Sequence, residues 1–131
     1  MADEISINLA IDVVSGNFRT SFRPSSITPD MTGLASSVLI QNIGVTIENL
    51  DVGANVSTGG YYWFQNMSTS TSATFDPSIK ISSCAATAAG TSFPFLHLRP
   101  GEFAIGRAVT TSFSAIAATA TADLQFGILS L

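Results

Sequence analysis

The feature that most limits what this chain can become is an alternation of apolar and polar residues, with period two, near both of its ends. Ile5, Ile7, Leu9, Ile11 and Val13 fall on one side of an extended backbone, and Glu4, Ser6, Asn8, Ala10 and Asp12 fall on the other. That is the pattern of a strand with one buried face. The closing run repeats it, with Ala122, Leu124, Phe126 and Ile128 alternating with Asp123, Gln125 and Gly127. Between the two ends, turn signals recur at short intervals. Ser15-Gly16-Asn17 leads into Phe18, Thr20 and Phe22 on one side and Arg19 and Arg23 on the other, so the first two strands read as a hairpin. "SVLIQNIGVTIENLDVG" reads as one or two strands broken near Gly44, and "GGYYWFQNM" as an aromatic strand after the Gly59-Gly60 turn. "FPFLHL" and "FAIGRA" flank Arg99-Pro100-Gly101-Glu102, where Pro at the second position and Gly at the third spell a type II turn.

Two stretches read as connections. "PSSITPDMTGLASS", from Pro24 to Ser37, is a long surface loop by composition, and "STSTSATFDPSIKIS" carries a turn at Asp76-Pro77. "CAATAAGTS" has the only helical composition, and its threonines and Gly90 favour a loop. Eight to ten short strands and no convincing helix predict an all-β fold: a single domain over residues 1–131, built as a two-sheet, jelly-roll-like β-sandwich or as a small barrel. With 131 residues, one core is the expectation.

Charged residues make up 11% of the chain and hydrophobic ones 46%, which leaves a small domain short of the ionised surface that keeps it dissolved. Ser and Thr replace part of it, and neighbouring subunits covering the protomer would hide the rest. The net charge is −4 and the five basic residues, Arg19, Arg23, Lys80, Arg99 and Arg107, are scattered, so a nucleic-acid partner is not expected. The start of the chain has Asp3 and Glu4 where a secretory leader carries positive charge. No run approaches the roughly 20 apolar residues of a membrane span. Synthesis in a cytoplasm, with no membrane partner, is the expectation.

Catalytic chemistry finds few residues to use. His97 stands between Leu96 and Leu98, so in a strand its ring points away from both, toward the side of Phe95 and Arg99. A general base needs a nucleophile or an orienting carboxylate within reach, and no neighbouring pattern supplies one. Cys84 is alone and reads as a buried or idle thiol, and one His with one Cys cannot build a zinc site. Gly59-Gly60 precedes no helix and no Lys-Ser/Thr, so it is not a phosphate loop. No enzyme activity, metal or cofactor is expected. Asn55-Val56-Ser57 and Asn66-Met67-Ser68 fit the glycosylation pattern, which has no meaning without a leader.

The candidate contact residues are Tyr61, Tyr62, Trp63 and Phe64, since aromatic faces anchor protein interfaces and stack on sugar rings. In a strand Tyr61 and Trp63 share one face and Tyr62 and Phe64 the other, so one pair belongs to the core. Ile27, Met31 and Leu34 of the long loop, with the edges of the first strand, join them as candidate interface residues.

"MADEISINLAIDVVSGNFRTSF", "GGYYWFQNM", "PFLHLRPGEFAIGR" and "AIAATATADLQFGIL" together, in this order, resemble a group of small virion structural proteins of tailed bacteriophages. The resemblance spans nearly the whole chain. It rests on a Gly-Asn turn after the first strand, a Gly-Tyr-aromatic-Asn strand, a Leu-Lys/Arg-Pro-Gly-Glu turn and an Ala/Thr-rich step before the last strand. The "STSTSATFDPSIKISSCAATAAGTS" middle departs from it, as does the lack of an acidic tail. The resemblance implies a non-enzymatic virion component that decorates or cements the capsid, with the major capsid protein as partner. It also implies a homo-oligomer, a trimer being favoured because capsid decorations often occupy local three-fold positions. The alternative is a tail- or fibre-associated module that binds host carbohydrate through its aromatic residues.

Overall fold

The computed structural model describes residues 3–4, 6–25, 30–31, 36–53, 56, 59–69, 76–86 and 94–130. The chain divides into two units, residues 1–32 and 33–131, and the sandwich expected over residues 1–131 is contained in the second. The first unit holds β1 (Asp3–Glu4), β2 (Ile11–Ser15), β3 (Phe18–Phe22) and β4 (Asp30–Met31), with β1 antiparallel to β4 and β2 to β3. The hairpin forms where the sequence places it, around Gly16 at φ +57°. Ile11 stands opposite Phe22, Val13 opposite Thr20 and Ser15 opposite Phe18, which puts Ile11, Val13, Phe18 and Phe22 on one side.

The half-buried alternation survives in part, with Ile7 and Leu9 half-buried between exposed Ser6, Asn8 and Ala10, but not as the start of the first strand. The continuous strand begins only at Ile11, and Ile11 and Phe22 are 46% and 58% exposed. Alternation tells which side chains share a side but not whether a second layer covers them, and a two-stranded ribbon brings no layer of its own. Arg23 Nη2 donates to Asp12 at 2.9 Å on this hairpin, an exposed pair that adds less than about 1 kcal/mol.

The second unit runs β5 (Ser36–Ile43), β6 (Glu48–Asn49), β7 (Gly60–Asn66), β8 (Ile79–Ser82), β9 (Leu96–Leu98), β10 (Phe103–Arg107), β11 (Ser114–Ala117) and β12 (Ala122–Ser130). One sheet has the order β10-β7-β12-β5 and the other β6-β11-β8-β9, every neighbour pair antiparallel. Within this order β8 pairs with β9, β7 with β10, β6 with β11 and β5 with β12. The chain is therefore one long hairpin with its tip between β8 and β9, rolled up until β12 also meets β7 and β11 also meets β8. This is the eight-stranded jelly roll, a two-sheet sandwich and not a closed barrel.

The alternation read from the sequence fills the space between the sheets. Ile43, Phe64, Leu124, Phe126 and Ile128 point in from one sheet, and Ile79, Ile81, Leu98, Ala115 and Ala117 from the other, all of them buried. Phe113 completes the core, its ring centroid 5.4 Å from Phe64 and 5.7 Å from Tyr62. Ala115 and Ala117 stand opposite Ile81 and Ile79, small residues beside branched ones.

Arg99-Pro100-Gly101-Glu102 turns as its composition predicts, with Gly101 at φ +80° and Glu102 N donating to Arg99 O at 2.9 Å. It does not join two strands of one sheet. β9 and β10 lie in opposite sheets, so the turn is a corner that carries the chain across the sandwich. Asn66, fully buried, locks that corner. Its side-chain amide donates to Pro77 O at 2.8 Å and Leu98 O at 3.1 Å, its Oδ1 accepts from Ser68 N, and its backbone pairs with Gly101 N and Glu102 O. A buried amide with its bonds satisfied holds both sheets at one end. The aromatic strand ending in Asn66 and the Leu-Arg-Pro-Gly-Glu turn, two separate motifs in the sequence, are thus one structural device.

Candidate functional site

β7 lies between β10 and β12, so its aromatic residues divide between the two faces of a sheet with neighbours on both sides. Tyr62 and Phe64 turn inward to the core. Tyr61 and Trp63 turn outward with Gln65, into three rows defined by the strand register. Phe103, Gln65, Gln125 and Ile40 form one row, Ile105, Trp63 and Gly127 the next, and Arg107, Tyr61 and Leu129 the third. Phe103 is 66% exposed and Ile40 64%. The outward side of this sheet is apolar and aromatic where a solvent face would be polar.

Glycines make room for the two largest rings on this sheet. A Cβ placed on Gly127 would lie 2.6 Å from Trp63 Cε2, so the indole lies over the Gly127 backbone and is pressed against the sheet. On the inward side a Cβ on Gly106 would lie 2.7 Å from Tyr62 Cζ, and the Tyr62 ring occupies that space. Burial pushes the Tyr62 phenol above its ordinary pKa of 10.0. Arg107, on the edge strand β10, borders both the outward face and an open pocket of about 450 Å³ with Tyr62, Phe95 and Thr110. At the far end of the outward face Asp123 Oδ1 accepts from Asn42 Nδ2 at 2.8 Å.

His97 takes the position expected, exposed between half-buried Leu96 and buried Leu98 and opposite Lys80. His97 contributes to the lowering of Asp76, whose pKa falls below the ordinary 3.8. The main causes are hydrogen bonds from the Ser78 hydroxyl and the Ser78 backbone N–H, with the positive charges of His97 and Arg99 adding to them. The Asp76 carboxylate therefore caps the turn into β8. Among the described residues no three of His, Cys, Asp and Glu gather to hold a metal ion. Among the described residues, no helix is long and apolar enough to cross a membrane. The Cys84 thiol is free and exposed, so of the buried or idle thiol expected there it is not the buried one. Asn66 cannot accept a glycan, because its amide is enclosed and hydrogen-bonded.

Of the candidate contact residues, Tyr61 and Trp63 face outward together and Tyr62 and Phe64 belong to the interior. Ile27 and Leu34 lie outside the described residues, and Met31 is described only as part of β4. Phe103, Ile105, Ile40 and Leu129 complete the outward face and escaped the sequence reading. The alternation of Phe103, Ile105 and Arg107 was a usable signal, but nothing in it shows that β10 lies beside β7. No known family model, no curated protein and no solved structure matches this chain.

Proposed function

We propose that the protein is a non-enzymatic structural component of a tailed-bacteriophage virion, a decoration or cement protein bound in many copies to the lattice of a major capsid protein. The observation that carries this reading is the outward face of the β10-β7-β12-β5 sheet, which exposes Phe103, Ile40 and Ile105 around Trp63. A protein with 11% charged residues and such a face gains by being covered. The order of motifs resembling phage virion proteins, and a jelly roll of the kind found in capsid and lectin domains, support the same reading. A cement protein gains affinity by bridging several subunits at once, so it binds the assembled shell better than free capsid subunits. Its contacts are mostly apolar, so binding withstands high salt. Cryo-electron microscopy of the virion tests this: density for the chain is expected across the capsid surface, and finding it only at the tail tip in a few copies would overturn the reading.

One observation favours a second reading, carbohydrate binding by a tail or fibre module. The Trp63 indole lies against Gly127 with Gln65 and Gln125 in the adjacent row, an aromatic platform with amides beside it. A glycan array with the wild-type chain and Trp63→Ala separates the two. Saturable sugar binding that the substitution removes would favour this second reading over the first.

A further inference from the structure

We infer that the outward face of the β10-β7-β12-β5 sheet pairs with the same face of a second copy of this chain. The inference rests on the same face as the virion reading and deepens that reading by naming a second copy of the chain as what covers it. Among the described residues, the face carries two charged side chains, Arg107 at one end of β10 and Asp123 at the opposite end of β12. They lie three rows and two strands apart, about 22 Å across the diagonal by strand spacing. The middle of that diagonal falls on β7 between Trp63 and Gln65. A two-fold axis lying in the contact plane through this point, perpendicular to the diagonal, sets Arg107 of each copy over Asp123 of the partner subunit and brings the two Trp63 regions together.

Self-complementarity of this kind is what a two-fold interface requires, since each residue must suit its symmetry mate's surroundings. The chain as a whole carries −4, yet this face sums to zero, so a second copy meets no net repulsion here. A nucleic acid or an anionic lipid surface would find one guanidinium and one carboxylate. The apolar row of Ile105 and Trp63, the glutamine pair in the row beside it and the opposite charges at the ends match the layout of an interface core with a polar rim. Capsid geometry alone favours three copies around a local three-fold axis; a flat face that covers itself takes two.

The experiment is a charge exchange on the full chain, read by light scattering after size exclusion and by sedimentation equilibrium at micromolar concentration. Wild type is expected at twice 13.6 kDa. Arg107→Asp and Asp123→Arg should each weaken association at least tenfold, because each sets like charges together and leaves the partner's group unpaired. The double variant restores the opposed pair and should return the dissociation constant to within threefold of wild type. Asp123→Arg also loses the Asn42 bond, so Ile105→Lys serves as a second probe that keeps it and is likewise expected to dissociate the pair. Circular dichroism confirms that each variant is folded. A wild-type monomer, a three-chain mass, an unaffected Ile105→Lys or a double variant no better than the singles would each overturn the proposal. None of these outcomes bears on capsid density in virions, so the two proposals fail separately.

Discussion

The two sheets of the jelly roll share one core but turn different faces away from it. The β6-β11-β8-β9 sheet presents exposed Lys80 opposite exposed His97 and Asn49 at its edge, with half-buried Ile116 as its outward aliphatic residue, while Ser82 and Ser114, opposite each other, are polar but buried. The β10-β7-β12-β5 sheet presents Trp63, Phe103, Ile105, Ile40 and Leu129. Both faces obey period two, so the alternation that builds the sandwich does not explain the difference. An antiparallel sheet with one solvated side is ordinarily polar on that side. The first sheet follows that rule and the second does not. The second also sets Gly127 into its longest strand so that an indole can lie against it, which costs strand propensity and is repaid only by what the ring does there.

The largest expected effect breaks that arrangement. Gly127→Val puts branched carbons where the Trp63 ring lies and should destabilise the fold by about 2–3 kcal/mol in chemical denaturation, with a red shift of indole fluorescence. The matching test on the other face, Lys80→Val, should change stability by no more than about 0.5 kcal/mol. Equal losses would mean the two faces are built alike. A smaller effect on stability but a sharper contrast comes from Phe103→Ser against Ile116→Ser. The first should weaken self-association about tenfold in sedimentation, a change of about 1.4 kcal/mol, while the second leaves association as it is. The smallest effect belongs to Asp76, beside the polar sheet. Its carboxyl titrates lower in the fold than its ordinary 3.8, so the stability it supplies is complete above that value and is lost as the pH falls below it. Asp76→Asn should flatten the acid limb of the melting temperature against pH by lowering the neutral value slightly, while the two proteins converge at low pH where the wild-type carboxyl is protonated.

The sequence makes strands legible where large side chains alternate and glycine or proline ends the run. β12, β7, the break at Gly44, the β2–β3 hairpin and the turn at Gly101 all belong to that class. β11 does not. Ser114-Ala115-Ile116-Ala117 is mostly small residues of weak strand preference, chosen by the bulk of Ile79 and Ile81 opposite, which only the pairing reveals. The same limit applies to the candidate surface. Tyr61 and Trp63 could be placed on one side of a strand, yet Phe103 and Ile40 join them through neighbours that are far away in sequence. The turn at Arg99–Glu102 would read the same as a hairpin or as a corner between sheets; Asn66 and Leu98 decide it through bonds that composition does not record.

The pairing of β5 with β12 has a consequence for how the chain emerges during synthesis. Asn42 and Asp123, which bond across those strands, are 81 residues apart. At common translation speeds of 5–20 residues per second, β5 waits roughly 4–16 seconds for its partner. For that interval Leu39, Ile40 and Ile43 belong to a strand with an open edge, and two nascent chains on one message present the same edge to each other. The jelly roll closes only when its last strand arrives, which covers one edge of β5 and leaves the other as the edge of the finished sheet, so a slower synthesis lengthens the interval in which both edges are open.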